Sequence, residues 1–160
     1  LDTLRYDVAK NLIAQGKTPN LAAVLPAEGW EERHSPGNFT YAAHQAFFAG
    51  FFPTPIAPGI HPRPFELRFE GSTTIAETTW ILDSANILNE LAEKGYHTAC
   101  IGGVGFFNKL KPLSKVLPSL FDESYWSPEL GVTNPKSTEK QMAIAQNILT
   151  QTPPTNAYFY

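Results

Sequence analysis

The sequence predicts an α/β protein with a mostly parallel sheet. Segments with helical spacing of apolar residues alternate with short apolar runs along the 160 residues. This alternation is typical of strands that are joined through helices. The clearest run, His97–Ile101, leads directly into a glycine-rich turn. No internal repeat or linker divides the sequence, so we expect residues 1–160 to belong to one domain.

Five helices are predicted from apolar residues at helical spacing together with start and stop residues. They are residues 4 to about 15 stopped by Gly16, a short helix opened by Thr18 and Pro19, a helix after Thr40 stopped by Gly50, a helix capped by Asp83 or Ser84 and ended at Gly95, and a helix started by Ser137 or Thr138. In the fourth we expect Ile87, Leu88, Leu91 and Ala92 to face inward, and in the fifth Ile144, Ile148 and Leu149.

Strands are predicted where short runs are apolar or alternate between apolar and charged residues. The predicted strands are Trp30–His34, Phe65–Phe69, His97–Ile101 and a strand that begins at Ala157. Residues 51–72 contain many prolines and glycines, so we expect a long extended loop there.

Composition excludes several classes of protein. The net charge of -3 and the lack of a basic run argue against nucleic-acid binding. No apolar stretch is long enough for a membrane span, and the single Cys100 cannot form an internal disulfide. Both termini resemble interrupted strands, so we expect a piece of a longer chain. No leader peptide is visible, so we expect a cytoplasmic protein. The N-terminus itself resembles a truncated one.

The segment from Gly37 to Pro53 carries the first candidate site residue. Thr40 lies at the start of a predicted aromatic-rich helix, with Asn38 just before it and His44 one turn later. A helix N-terminus favours negative charge and suits a nucleophile that attacks phosphate or sulfate. The alternative is that Thr40 only caps the helix and that His44 only packs against it.

Asp2 is the second candidate. It follows what resembles the end of a strand, which is where α/β folds place ligand-binding residues. A carboxylate there is a hard oxygen ligand for Zn²⁺, Mg²⁺, Mn²⁺ or Ca²⁺. The alternative role for Asp2 is an N-cap of the following helix.

The glycine-rich stretch Gly102–Gly105 follows a predicted strand, as phosphate-binding loops do. The dinucleotide-binding pattern requires a third glycine where this chain has Asn108. The stretch is therefore only a weak indication of a phosphate cradle.

Taken together, three segments resemble the N-terminal part of the alkaline phosphatase/sulfatase superfamily. They are Asp2–Asp7, Thr18–Leu21, and Thr40-x-x-x-His44 with Gly50-x-x-Pro53. Residues 38–55 and 100–108 are most similar to a bacterial group of uncharacterised metalloenzyme-domain hydrolases. The resemblance covers nearly the whole chain and implies an incomplete alkaline-phosphatase-like layered fold.

The resemblance implies a metal-dependent hydrolase or transferase that acts on small phosphate esters. Asp2 would be a metal ligand, Thr40 the nucleophile and a metal contact, and Asn38 and His44 substrate-binding residues. Two divalent ions are implied, Zn²⁺ in the first place, with Mn²⁺, Mg²⁺ or Ca²⁺ as alternatives. No nucleic acid or membrane partner is implied, and the oligomeric state stays open.

At two positions the sequence departs from the family, and each departure disfavours one class of substrate. A threonine cannot be oxidised to the formylglycine of sulfatases, which disfavours a sulfatase. Ala43 stands where the nucleotide pyrophosphatase branch has an asparagine, which disfavours the substrate class of that branch.

The later Asp-His and His ligands of the superfamily would lie beyond residue 160, so the isolated chain is expected to be inactive and to bind metal weakly. The alternative is a degenerate, non-catalytic domain used for binding or assembly.

Overall fold

The structure is a computed structural model that describes residues 4–50, 56–61, 65–73, 77, 79–81, 86–151 and 157–159. The chain divides into two compact units, residues 1–35 and 36–160. The expectation of one domain stays a prediction. Asp83 and Ser84, the predicted caps of the fourth helix, lie outside the described residues.

The described part of the first unit, residues 4–35, contains two helices, and both were predicted. They are α1 (Tyr6–Ala14) and α2 (Pro19–Val24). Gly16 has a φ of +68°, the left-handed backbone conformation that ends α1 and that glycine adopts without strain. Pro19 occupies the first position of α2, where its missing N–H costs nothing.

The predicted strand at Trp30–His34 is wrong, because these residues belong to no strand. Four of the five are charged or polar, and all four of these side chains are exposed. A strand is stable only when its backbone N–H and C=O groups pair with a neighbouring strand. The single Trp30 gives this segment too little apolar surface to hold it against one.

The second unit has a parallel arrangement of strands, as predicted. Its described helices are α3 (Thr40–Ala49), α4 (Ile87–Glu93), α5 (Pro112–Val116) and α6 (Ser137–Gln151), and its described strands are β1 (Phe65–Glu66), β2 (Trp80–Ile81), β3 (His97–Ile101), β4 (Glu123–Tyr125) and β5 (Ala157–Phe159). Strand β3 lies between β4 and β5, and β1 pairs with β2. All three pairings are parallel.

Helical crossovers explain why the three-stranded sheet is parallel. The chain leaves β3, passes through α5 and returns as β4 in the same direction, with Cys100 opposite Ser124. It then passes through α6 and returns as β5, with Thr98 opposite Tyr158. Parallel neighbours need such long connections. The described part of the chain is therefore mixed α/β, as the alternating sequence pattern predicts.

Helix α4 begins differently from the prediction. Asn86 is its N-cap, and the side-chain oxygen of Asn86 accepts hydrogen bonds from the backbone N–H groups of Leu88 and Asn89. Leu88 is fully buried, but Ile87 and Ala92 are exposed, so the predicted inward face is wrong for these two. Helix α6 shows the same kind of error, since Ile148 is buried while Leu149 is 57% exposed.

The core of the second unit forms where α3, β3 and the segment around α5 meet. Its buried members are Tyr41, Phe48, Leu67, Leu88, Cys100, Phe107, Leu117 and Phe121. The three central residues of β3 are all buried, which is typical of a strand covered on both faces. In the predicted strand Phe65–Phe69, only Phe65 and Glu66 pair with a neighbour. No described helix is long and apolar enough to cross a membrane.

Asp122 joins the amino end of β3 to the segment that leads into β4. Its carboxylate accepts hydrogen bonds from the backbone N–H of Thr98 at 2.7 Å and from the Thr98 hydroxyl at 2.9 Å. The backbone N–H of Asp122 donates to the same hydroxyl at 2.9 Å. These hydrogen bonds, and more weakly the charge of His97, lower the pKa of Asp122. Asp122 thereby fixes the β3–β4 register.

We expect the Asp122→Asn variant to lose less stability in acid than the wild type. A carboxyl group with a lowered folded-state pKa stabilises the fold above its unfolded pKa of about 3.9, and this contribution is lost as the pH falls through the folded pKa. The Asp122 side chain is 44% exposed, so solvent screening limits the effect to about 1 kcal/mol or less.

Urea unfolding between about pH 7 and pH 3 measures this effect. The matched control is Glu93→Gln, which removes a carboxylate from an exposed residue at the end of α4. An Asp122→Asn variant with the same acid dependence as the wild type would contradict the assigned role.

Candidate active site

Helix α3 begins one residue earlier than a capping role for Thr40 requires. Phe39 is the N-cap, with extended backbone angles, and its carbonyl accepts from the N–H of Ala43 at 3.0 Å. Thr40 is the first helical residue and is half-buried. The interpretation of Thr40 as an N-cap is therefore wrong. Gly50 ends the helix with a φ of +78°, as predicted.

The turn before α3 packs tightly against the first part of the helix. A Cβ atom on Gly37 would lie 2.6 Å from the backbone N of Ala43 and 2.8 Å from the carbonyl carbon of Ala42. These are backbone atoms that cannot move aside, so only glycine fits. Gly37 thus positions the two residues that precede Thr40. Asn38, the predicted substrate-binding residue, lies in this turn and is exposed.

His44 lies one turn after Thr40, as the spacing predicts. Its Nδ1 is 2.6 Å from the backbone carbonyl oxygen of Thr40. A carbonyl oxygen only accepts, so Nδ1 carries the hydrogen, and in a neutral ring Nε2 is then the basic nitrogen. The contact joins the two candidate residues through the backbone of Thr40 and not through its hydroxyl.

The His44 ring also packs among three aromatic rings in edge-to-face geometry. The centroid distances are 5.3 Å to Phe107, 5.6 Å to Phe47 and 5.9 Å to Phe48. Such contacts fix the orientation of the imidazole. His44 is therefore held rigidly, with a packing role in addition to any contact with a ligand.

Phe106 brings the end of β3 to the start of α3. It lies in a single 3₁₀ turn, Gly105–Phe107, that follows the carboxyl end of β3. Its ring centroid is 6.0 Å from that of Phe39 and 5.7 Å from that of Tyr41, the two residues that flank Thr40. The carboxyl ends of parallel strands are where α/β proteins bind ligands. The sequence did not single out Phe106, since only the tertiary fold brings its ring to the residues that flank Thr40.

The glycines after β3 are needed for packing. A Cβ atom on Gly102 would lie 2.5 Å from the Cβ of Phe107, and one on Gly103 would lie 2.7 Å from Nε2 of Gln141. The Gly103 carbonyl also accepts from the N–H of Val132 at 3.1 Å. Side chains and backbone of this chain therefore fill the space beside these glycines. This close packing accounts for Gly102 and Gly103 without a bound phosphate.

Cys100 does not supply a second nucleophile. It is fully buried in β3, and this burial raises the pKa of its thiol to about 12. The thiolate is the reactive form of cysteine. Cys100 is consequently a packing residue of the core.

The metal ligands can be placed only in part. Asp2 lies outside the described residues. Among the residues that the structure does describe, no three His, Cys, Asp or Glu side chains form a group that could hold a metal ion. Thr40 offers one neutral oxygen, which fits a metal site as a single ligand and requires carboxylate or imidazole partners to complete it.

Comparisons with protein-family models, with curated proteins and with solved structures give no match for this chain. The resemblance to the alkaline phosphatase/sulfatase superfamily therefore rests on Asp2–Asp7, Thr18–Leu21 and the segment from Thr40 to Pro53.

Proposed function

We propose that the protein is a metal-dependent hydrolase or transferase of phosphate esters with Thr40 as its nucleophile. The observation that carries this proposal is the position of Thr40 in the first turn of the ten-residue helix α3. The backbone N–H groups and the dipole of a helix N-terminus stabilise the negative oxygens of a phosphoryl group. Since Phe39 and not Thr40 is the N-cap, helix capping does not account for the threonine.

Each residue of the site would have its own role in the reaction. The Thr40 oxygen attacks phosphorus, the bond from phosphorus to the alcohol oxygen breaks, and the alcohol departs with a proton. The oxygen of a water molecule then attacks the same phosphorus, the bond from phosphorus to the Thr40 oxygen breaks, and the Thr40 oxygen takes up a proton as phosphate leaves. The first turn of α3 would bind the phosphoryl oxygens during both steps. Asn38 lies close enough in sequence to add a side-chain N–H donor, and His44 would hold the backbone of Thr40 in place.

A metal is part of the proposal because a threonine hydroxyl alone is a weak nucleophile. Bound divalent ions would polarise the ester and stabilise the leaving oxygen. Asp2 and Thr40 are the residues of this chain that would contribute to holding them. We also propose that the parallel sheet and its helices belong to the N-terminal part of an alkaline-phosphatase-like layered fold.

The experiment uses the full-length protein, stripped of metal with a chelator and then supplied with Zn²⁺ or Mn²⁺. Hydrolysis of a phosphate monoester, a phosphate diester and a sulfate ester is measured in parallel. We expect metal-dependent turnover of a phosphate ester and little turnover of the sulfate ester. Lack of turnover on all three, together with lack of bound metal by elemental analysis, would favour a non-catalytic domain.

A further inference from the structure

Phe39 is an unusual residue for the place that it occupies. It is the N-cap of α3, a position where Ser, Thr, Asp and Asn stabilise a helix by accepting a backbone hydrogen bond. Phe39 makes no such bond, and 46% of its surface is exposed. Neither helix capping nor core packing therefore explains an aromatic residue directly before Thr40.

The ring of Phe39 rests on a rigid support. It is tilted by 45° against the half-buried ring of Phe106, and Phe106 packs in turn on Tyr41. Tyr41 is only 2% exposed, and its hydroxyl donates to the carbonyl of Leu67 at 3.1 Å. Phe39 thus packs against a ring that is itself packed on the buried Tyr41. A preorganised apolar surface of this kind binds a ligand without a large ordering cost.

The position of this surface identifies what it would bind. Phe39 is bonded to the proposed nucleophile, and Phe106 lies at the carboxyl end of β3, the side of the sheet where ligands bind. A phosphate ester held at Thr40 must direct its organic group to one side of the helix N-terminus. Aromatic side chains favour planar apolar groups there, through offset or edge-to-face contact.

We infer that Phe39, supported by Phe106, binds the organic group of the ester and makes the enzyme prefer esters with an aromatic or other planar apolar group. This inference rests on the function proposed above, since it names the substrate class of that same site. Phe39 is then a specificity-determining residue, while Thr40 carries the reaction.

The test compares benzyl phosphate with ethyl phosphate, and their methyl diesters, in the full-length protein supplied with metal. Both esters release a primary alcohol, so their intrinsic reactivities are similar. In Phe39→Ala we expect kcat/KM for the benzyl ester to fall about five- to tenfold. For the ethyl ester we expect a change of about twofold or less. Phe39→Tyr, which keeps a ring, should retain the preference of the wild type for the benzyl ester.

The matched control is Leu149→Ala, which removes another exposed apolar side chain, on α6. It should leave both esters unaffected. An unchanged benzyl-to-ethyl ratio in Phe39→Ala, with turnover that still depends on Thr40, would overturn this inference alone. Lack of turnover of every ester by the wild type would overturn the proposed function and this inference with it.

Discussion

Thr40→Ala should lower kcat for phosphate ester hydrolysis by about a thousandfold or more. Removal of a covalent nucleophile typically has an effect of at least this size, because the remaining groups bind the substrate but cannot form the intermediate. The fold should persist, since Thr40 is only half-buried and is not the cap of α3. Steady-state kinetics in the metal-loaded protein measure the first expectation, and thermal unfolding measures the second.

Two further variants identify the cause of such a loss. Thr40→Ser keeps the hydroxyl and should stay within about tenfold of the wild type, as expected for a retained nucleophile. Thr138→Ala makes the same substitution at an exposed residue in the first turn of α6 and should change neither activity nor stability. Full activity in Thr40→Ala would exclude this residue as the nucleophile.

The elements that were predicted well have a strong local signal. Strand β3 was predicted with its observed bounds because Ala99–Ile101 is an apolar run that stops at Gly102, and Gly95 ends the preceding helix two residues before the strand begins. The stops at Gly16, Gly50 and Gly95 were correct because each has a positive φ that other residues adopt only with strain. Local backbone chemistry is sufficient to define such positions.

The elements that were missed depend on distant partners. Strand β4 consists of Glu123, Ser124 and Tyr125, which is not an apolar run, and it exists because it pairs with β3. The strand predicted at Trp30–His34 finds no partner in the described part of the chain. The pairing of strands is a tertiary property, and a single sequence does not contain it.

The candidate site likewise has one contact that the sequence predicted and one that depends on the fold. The four-residue spacing of Thr40 and His44 predicted their proximity, and the hydrogen bond between His44 and the Thr40 carbonyl confirms it. Phe106 is 67 positions away from Phe39 in sequence, as their numbers show, and only the fold reveals the contact. The sequence alone also does not show which of Phe47 and Phe48 faces the core.

We expect Phe48→Ala to destabilise the protein by about 3–5 kcal/mol, the cost typical of truncating a buried phenylalanine. Phe48 is 1% exposed, and its ring packs edge-to-face on Phe121 with centroids 5.8 Å apart. Removal of the ring leaves a cavity between α3 and the segment around α5. Urea unfolding measures the loss, and the milder Phe48→Leu keeps it measurable if the alanine variant does not fold.

Phe47→Ala is the matched control, since it removes the same side chain from the adjacent position of the same helix. Phe47 is 49% exposed, so its truncation should cost less than about 1 kcal/mol. Both phenylalanines contact the His44 ring, at 5.6 Å and 5.9 Å, so a loss of stability confined to Phe48 reports burial and not the histidine contact. Equal losses in the two variants would mean that α3 is rotated relative to this structure, and Thr40 and Phe39 would then present different faces to a substrate.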